Sequence, residues 1–187
     1  MIRELAENPN VHQPLSAGRE LVLDPAGRYA VYLAAGTTAH DATVQRVRCA
    51  SDDVTGVLAE VRALLRERGR PGAEWELGAS SEPADLVERL LELGLRRDEE
   101  EPVAVGMVLR GIPAWKAPPD LVTRRVTSLA DLVEARRVQS IAFGDDRPVD
   151  LEQAQRDLAR EGLDGTTFVA LLEAQVVAAA YAAYTPW

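Results

Sequence analysis

The sequence predicts an α/β protein of the α+β type, with helices packed against sheets. Short segments rich in β-branched and aromatic residues are separated by turn residues, as at 22–23, 29–33 and 44–49. Longer segments repeat their apolar residues at helical spacing. The composition agrees with this class, because 47% hydrophobic and 27% charged residues are ordinary values for a globular protein.

A long helix over residues 53–68 is the central element predicted for the first part of the chain. Ser51, Asp52 and Asp53 precede it as capping candidates, and Gly69 follows it as a stop signal. Its apolar residues recur at intervals of three and four: Val54, Val57, Leu58, Val61, Leu64 and Leu65.

Three further elements follow this helix. Residues 74–77 alternate like a strand, and Ser81 with Pro83 opens a second helix that Gly94 ends. Residues 103–109 are predicted to form another strand.

A proline-rich segment, residues 111–120, is predicted to link two units. Its prolines disfavour both a helix and an interior strand. The sequence therefore predicts a first unit over 1–110 and a second unit over 121–187.

The second unit is predicted to begin with a strand over 121–126. Ser128 and Asp131 have the spacing of a helix cap before residues 129–142, and a similar cap at Asp150 precedes a helix to about residue 160. These caps predict two consecutive helices.

The last segment of the chain predicts a hairpin around residues 173–175. Its arms are 168–172 and 176–184. Residues 176–184 are also rich in alanine, so a helix remains an alternative there.

The charge balance excludes several classes of partner. Thirty acidic and 21 basic residues give a net charge of −9, which disfavours nucleic acid and anionic lipid. The longest apolar stretch, 176–183, is far shorter than the roughly 20 residues of a membrane helix. One cysteine and a start without secretory features predict a cytoplasmic protein.

Few residues are suited to metal or nucleophilic chemistry. Two histidines, His12 and His40, and one cysteine, Cys49, do not make up a usual transition-metal site, so no metal is expected. A nucleophile built from Cys49, His40 and Asp41 is a hypothesis, but Cys49 ends an apolar stretch, which favours a buried thiol. The chain also contains neither a P-loop nor a G-x-G-x-x-G pattern.

The second unit resembles the opening half of the GNAT superfamily of N-acetyltransferases. VTSLADLVEARRVQSIAFG resembles that family's first strand and helix, and TTFVALLEAQVVAAAYAAYTPW resembles its second and third strands. In the family, the next strand and its Gln/Arg-x-x-Gly-x-Gly/Ala loop hold the pyrophosphate of acetyl-CoA. This sequence ends at Trp187, ahead of such a loop, which implies an incomplete second unit.

The first unit resembles the later half of the same fold, and its phosphate loop departs from the family. The pyrophosphate position falls on residues 48–53, which contain no glycine and place Asp52 and Asp53 at a helix N-terminus. Acetyl-CoA is therefore implied by the resemblance only, and no cofactor is expected for this chain alone.

The resemblance also implies the substrate-binding residues. The end of the second unit's first helix and its third strand would line an acceptor cleft with Phe143, Tyr181, Tyr184 and Trp187. The alternative is that the two tyrosines are ordinary sheet residues. No catalytic residue is assigned.

Two functions remain open at this point. One is acyl transfer from acetyl-CoA to a small-molecule or peptide amine by an N-acetyltransferase-like protein, of which this chain is an inactive part. The other is a non-catalytic GNAT-like module for packing, homodimerisation or ligand binding.

Overall fold

The structure is a computed structural model, and its described residues form an α+β fold. They divide into two compact units, Met1–Arg110 and Gly111–Trp187. The predicted strand 103–109 and part of the linker lie outside the described residues. The structure describes residues 2–15, 18–99, 111, 114, 116–144, 148–163 and 165–184.

The first unit contains a four-stranded mixed sheet in the order β1-β2-β3-β4. The first three strands are antiparallel, and β4 runs parallel to β3. The strands are β1 (Glu20–Leu23), β2 (Ala30–Leu33), β3 (Ala42–Gln45) and β4 (Glu74–Trp75). The α-helices are α1 (Ile2–Glu7), α2 (Val54–Glu67) and α3 (Leu86–Glu92), with 3-10 helices at Pro9–His12 and Ala39–Asp41.

Helix α2 supplies much of the core of this unit. It confirms the helix predicted over 53–68, and its apolar stripe packs with β2 and β3, whose residues are all buried. The buried residues of α2 are Val54, Val57, Leu58, Val61 and Leu65.

Other elements of the first unit differ from the prediction. Strand β3 ends at Gln45 because Arg46 adopts the left-handed φ of 56°, which interrupts the ladder expected over 44–49. The second helix begins at Leu86 rather than near Ser81, because Glu82 is part of a strand-like bridge to Arg48.

The second unit contains an antiparallel sheet in the order β5-β6-β7, with two helices between the first two strands. Its buried core consists of Val126, Leu132, Ala135, Ala154 and Val169. Its elements are β5 (Val122–Arg125), α4 (Leu129–Ala142), α5 (Leu151–Leu158), β6 (Gly165–Leu172) and β7 (Gln175–Ala183).

The predicted caps are present at both helices of this unit. The Ser128 side chain accepts a hydrogen bond from the amide of Asp131, and the Asp150 side chain accepts one from the amide of Gln153. The helix predicted over 129–142 is confirmed, whereas α5 ends at Leu158, two residues before the predicted end.

The hairpin is confirmed, and residues 176–183 of the predicted arm 176–184 belong to a strand rather than a helix. Strand β7 pairs with β6 from Gln175 to Ala183, which satisfies its backbone groups on one side. Glu173 and Ala174 form the two-residue turn with φ values of 50° and 65°, the signs of a type I′ turn. In the described sheet, β7 is an edge strand.

The length and polarity of the helices bear on whether one of them could cross a membrane. Among the described residues, the helices are all too short or too polar to cross a bilayer.

Candidate functional site

A groove of about 560 Å³ lies in the second unit where α4 ends and the chain approaches α5. It combines an aromatic ring, a guanidinium, a carboxylate and two neutral polar side chains. The described residues that line it are Arg136, Gln139, Ser140, Phe143, Pro148, Val149 and Asp150.

Helical spacing places one wall of the groove. Arg136, Ser140 and Phe143 are four and three residues apart, so they share one side of α4 and its C-terminus. Phe143 is the C-cap residue and is 86% exposed. Gly144, with a φ of 69°, then lets the chain leave the helix.

Ion pairing fixes the charges beside the groove. Arg136 pairs with Asp157 of α5, and Asp157 also accepts a hydrogen bond of 2.8 Å from Gln153 Nε2. Asp150 accepts the amide of Gln153 at 3.0 Å while also lining the groove. With Arg136 paired, the groove offers a carboxylate and an open aromatic ring, which together suit a cationic group.

The two tyrosines predicted for the cleft, Tyr181 and Tyr184, do not line this groove. The Tyr181 hydroxyl lies against Gly165, where a β-carbon would clash with it. The Tyr184 hydroxyl contacts Thr166, whose Oγ1 accepts a 3.0 Å hydrogen bond from Arg125. Because Gly165 and Thr166 are successive strand residues, the two tyrosines lie on opposite faces of the sheet.

Phe143 is thus the one predicted site residue that lines the groove, and Trp187 lies outside the described residues. Sequence reasoning identified Asp150 only as a helix cap, and it missed Arg136, Gln139 and Ser140. The available signal was their helical spacing to Phe143, since residues three, four and seven positions apart share a helix face.

The loop at the predicted pyrophosphate position differs from expectation in one respect. Asp53 is the N-cap residue of α2, but its side chain makes no capping hydrogen bond. Its carboxylate lies 3.7 Å from Nη1 of Arg28, which also pairs with Asp24 and Glu60. The expected side-chain cap from Asp53 is therefore absent, because the Arg28 guanidinium provides another partner for its carboxylate. The loop still carries carboxylates where an anion would bind.

The residues of the nucleophile hypothesis have separate partners. Cys49 Sγ lies 3.8 Å from the carbonyl oxygen of Glu82, and burial raises the pKa of this thiol. The His40 ring contacts Glu74, and the Asp41 side chain accepts hydrogen bonds from Thr38. These contacts favour a buried, unreactive thiol.

Metal ligation finds no support in the described ranges. They contain no group of three or more His, Cys, Asp or Glu side chains placed to hold a metal ion.

Comparison with known proteins does not assign this chain to a family. No protein-family model matches the sequence, and no curated protein matches it.

Proposed function

We propose that the second unit is the amine-binding part of an N-acetyltransferase-like protein. The reaction of such a protein would transfer an acetyl group from acetyl-CoA to a small-molecule or peptide amine. The groove with Phe143 and Asp150 carries this proposal, because it pairs an open aromatic face with a carboxylate. The order of strand, two helices and hairpin supports it, since this order resembles the opening half of that fold.

Electrostatics favours a cationic amine over a neutral or anionic ligand. The net charge of −9 raises the local concentration of cations around the protein. Arg136 opposes a cation in the groove, but its pairing with Asp157 reduces that effect. Neutral polar contacts from Gln139 and Ser140 would then orient the amine.

The first unit does not fit the pyrophosphate of acetyl-CoA. Residues 48–53 contain no glycine for close backbone approach, and Asp52 and Asp53 lie at the N-terminus of α2. We therefore propose that this chain alone neither binds acetyl-CoA nor transfers its acetyl group.

Isothermal titration of the full chain with spermidine and with acetyl-CoA tests both parts. Spermidine should bind, and Phe143→Leu should weaken its binding about threefold, because a cation–π contact is lost. Asp150→Asn should also weaken it, while asparagine preserves the cap of α5. Acetyl-CoA should give no heat of binding.

Phe168→Leu is the matched control. Phe168 is a partly exposed phenylalanine of β6 that does not line the groove. Equal spermidine affinity in the Phe143 and Phe168 variants would contradict the amine site. Acetyl-CoA binding by the unmodified chain would contradict the separate proposal for the first unit.

A second candidate function is a non-catalytic module that forms a homodimer. Strand β7 favours it, because its nine residues carry no charge and no proline at the edge of the described sheet. Such an edge can pair with the same strand of another copy.

We also propose a cytoplasmic location. The sequence has one cysteine, and Cys49 is a buried free thiol rather than half of a disulfide. This usage is typical of reducing compartments. Fractionation of cells that express the native gene would test this assignment.

A further inference from the structure

The β-ladder of the first unit has a gap beside β4, the strand that runs parallel to β3. Strands β3 and β4 pair over two residues, and the segments that follow them approach each other again at the bridge between Arg48 and Glu82. Between these points the left-handed Arg46 turns the backbone out of register. The polar groups around the gap therefore need partners from outside the ladder.

The N-terminal arm, defined here as residues 2–13, provides those partners. Asn8 Oδ1 accepts the amide of Arg46 at 2.7 Å, and the amide of Asn10 donates to Gln45 Oε1 at 3.1 Å. Gln45 is 1% exposed, so the arm covers a polar side chain that would otherwise meet water.

The carboxylates of Glu4 and Glu7 attach the arm beside this gap, where they contact two arginines and a backbone amide. Glu4 pairs with Arg48 Nη2 at 2.6 Å and with Arg46 Nε at 3.2 Å. Glu7 Oε2 accepts the amide of Ser80 at 2.8 Å, and its side chain fills the space above Gly78. Glu4 and Glu7 are three residues apart in α1, so they project from the same side of one helical turn.

The arm is held by polar contacts rather than by an apolar anchor. In the described part of the chain, α1 buries no residue, and no residue of the arm belongs to the apolar core cluster. Partly exposed ion pairs such as those of Glu4 are weakened by salt, because ions screen charges over about 10 Å. The attachment can therefore be reversed without disrupting the core.

We propose that Arg46, Arg48 and the Ser80 amide form a docking site for an acidic helical segment with two carboxylates one turn apart. The arm is the occupant in cis, and it must leave before such a segment of another protein can bind. The chemistry of the partner follows from that occupant, because Glu4 and Glu7 already match the two guanidiniums, the amide and the space over Gly78.

A fluorescent peptide with the sequence of residues 2–13, IRELAENPNVHQ, tests this site in the full chain. The double variant Glu4→Gln, Glu7→Gln weakens the resident arm and should bind the peptide about tenfold more tightly than the unmodified chain, because a larger fraction has an open site. Fluorescence anisotropy measures the two affinities, and raising the salt concentration should weaken binding.

Matched variants separate docking from a general charge effect. Glu88→Gln with Glu92→Gln removes the same charge from the exposed side of α3 and should leave peptide affinity unchanged. In the Glu4→Gln, Glu7→Gln variant, called here the open chain, a further Arg48→Gln change should abolish peptide binding. A peptide with glutamine at both carboxylate positions should not bind the open chain. Equal peptide affinity in the open and unmodified chains would overturn the proposal, as would retention of binding after the Arg48 change.

Hydrogen exchange gives a second measurement that does not depend on the peptide. The amides of Asn10 and Arg46 should exchange faster in the Glu4, Glu7 variant, because both donate across the arm contact. Unchanged protection would show that the carboxylates do not hold the arm and would also overturn the proposal.

Discussion

At the scale of single residues, the turn between β6 and β7 holds two side chains in a conformation that glycine adopts more easily. Glu173 and Ala174 have φ values of 50° and 65°. A residue with a β-carbon pays about 1 kcal/mol or more in this region. The turn is therefore a place where substitution should stabilise the second unit.

Ala174→Gly is expected to raise the free energy of unfolding of the second unit by about 1 kcal/mol, because it removes that strain. Urea titration followed by circular dichroism measures the change. Ala178→Gly, within β7, is the matched control and should lower stability by about 0.5–1 kcal/mol. A destabilised Ala174 variant would contradict the left-handed turn.

The contact between Asp131 and Arg124 links α4 to β5 and predicts a pH dependence. Two hydrogen bonds of 2.6 and 2.7 Å join the two groups. The Arg124 guanidinium holds the pKa of Asp131 below its usual value. This contribution is present above the unfolded pKa of about 3.9 and is lost as the pH falls through the lower folded pKa.

Asp131→Asn should therefore destabilise the second unit by about 1 kcal/mol at neutral pH. Urea midpoints should show the difference from the unmodified chain shrinking as the pH falls below about 4. Glu134→Gln, which breaks the exposed Arg137 pair on the same helix, should have a smaller effect. An Asp131 effect that does not change with pH would refute the ion-pair explanation.

Residue chemistry explains why the candidate site was only partly predictable. The exposure of Phe143 follows from its position at the end of a helix, but the groove also needs Val149 and Asp150 from the following segment. The family resemblance assigns Tyr181 and Tyr184 to one cleft, whereas strand alternation places them on opposite faces of the sheet. A pattern of aromatic residues does not specify which of them meet.

At the scale of the elements, α2 should dominate the stability of the first unit. Leu65→Ala is expected to lower the free energy of unfolding by about 2–5 kcal/mol, because Leu65 is a buried member of the core cluster that joins α2 to the sheet. Leu64→Ala, at a half-buried position of the same helix, is the control and should cost less. Chemical denaturation followed by circular dichroism measures both, and equal losses would contradict the assigned orientation of α2.

Elements with their own local signals were the predictable part of the fold. Helices α2 and α4 combine regular apolar spacing with boundary residues, and both bounds agree with the prediction within one residue. The end of β3 was not predictable, because it depends on Arg46 adopting a left-handed conformation beside the N-terminal arm. That contact joins residues 38 positions apart, which no local pattern records.

At the scale of the whole molecule, the two edges of the second sheet differ in charge. Strand β5 carries Arg124 and Arg125, which oppose pairing with a copy of itself, whereas β7 carries no charge. If the homodimer forms, β7 is therefore the edge expected to join the two copies.

Ala180→Lys should shift the chain toward the monomer, because two copies would bring like charges together across a β7–β7 interface. Sedimentation velocity over a range of concentrations measures this shift. Thr123→Lys on β5 adds the same charge to the other edge and should leave association unchanged. A dimer insensitive to Ala180→Lys would place the interface elsewhere.

The buried thiol of Cys49 makes the first unit chemically distinguishable from the second. It is the sole cysteine in the sequence, and burial raises its pKa, so it should react slowly with an alkylating reagent while the first unit is folded. A mass shift after pulsed alkylation would then count molecules whose first unit has opened, whatever the state of the second. The protein thus carries a native probe for whether its two units unfold together or separately.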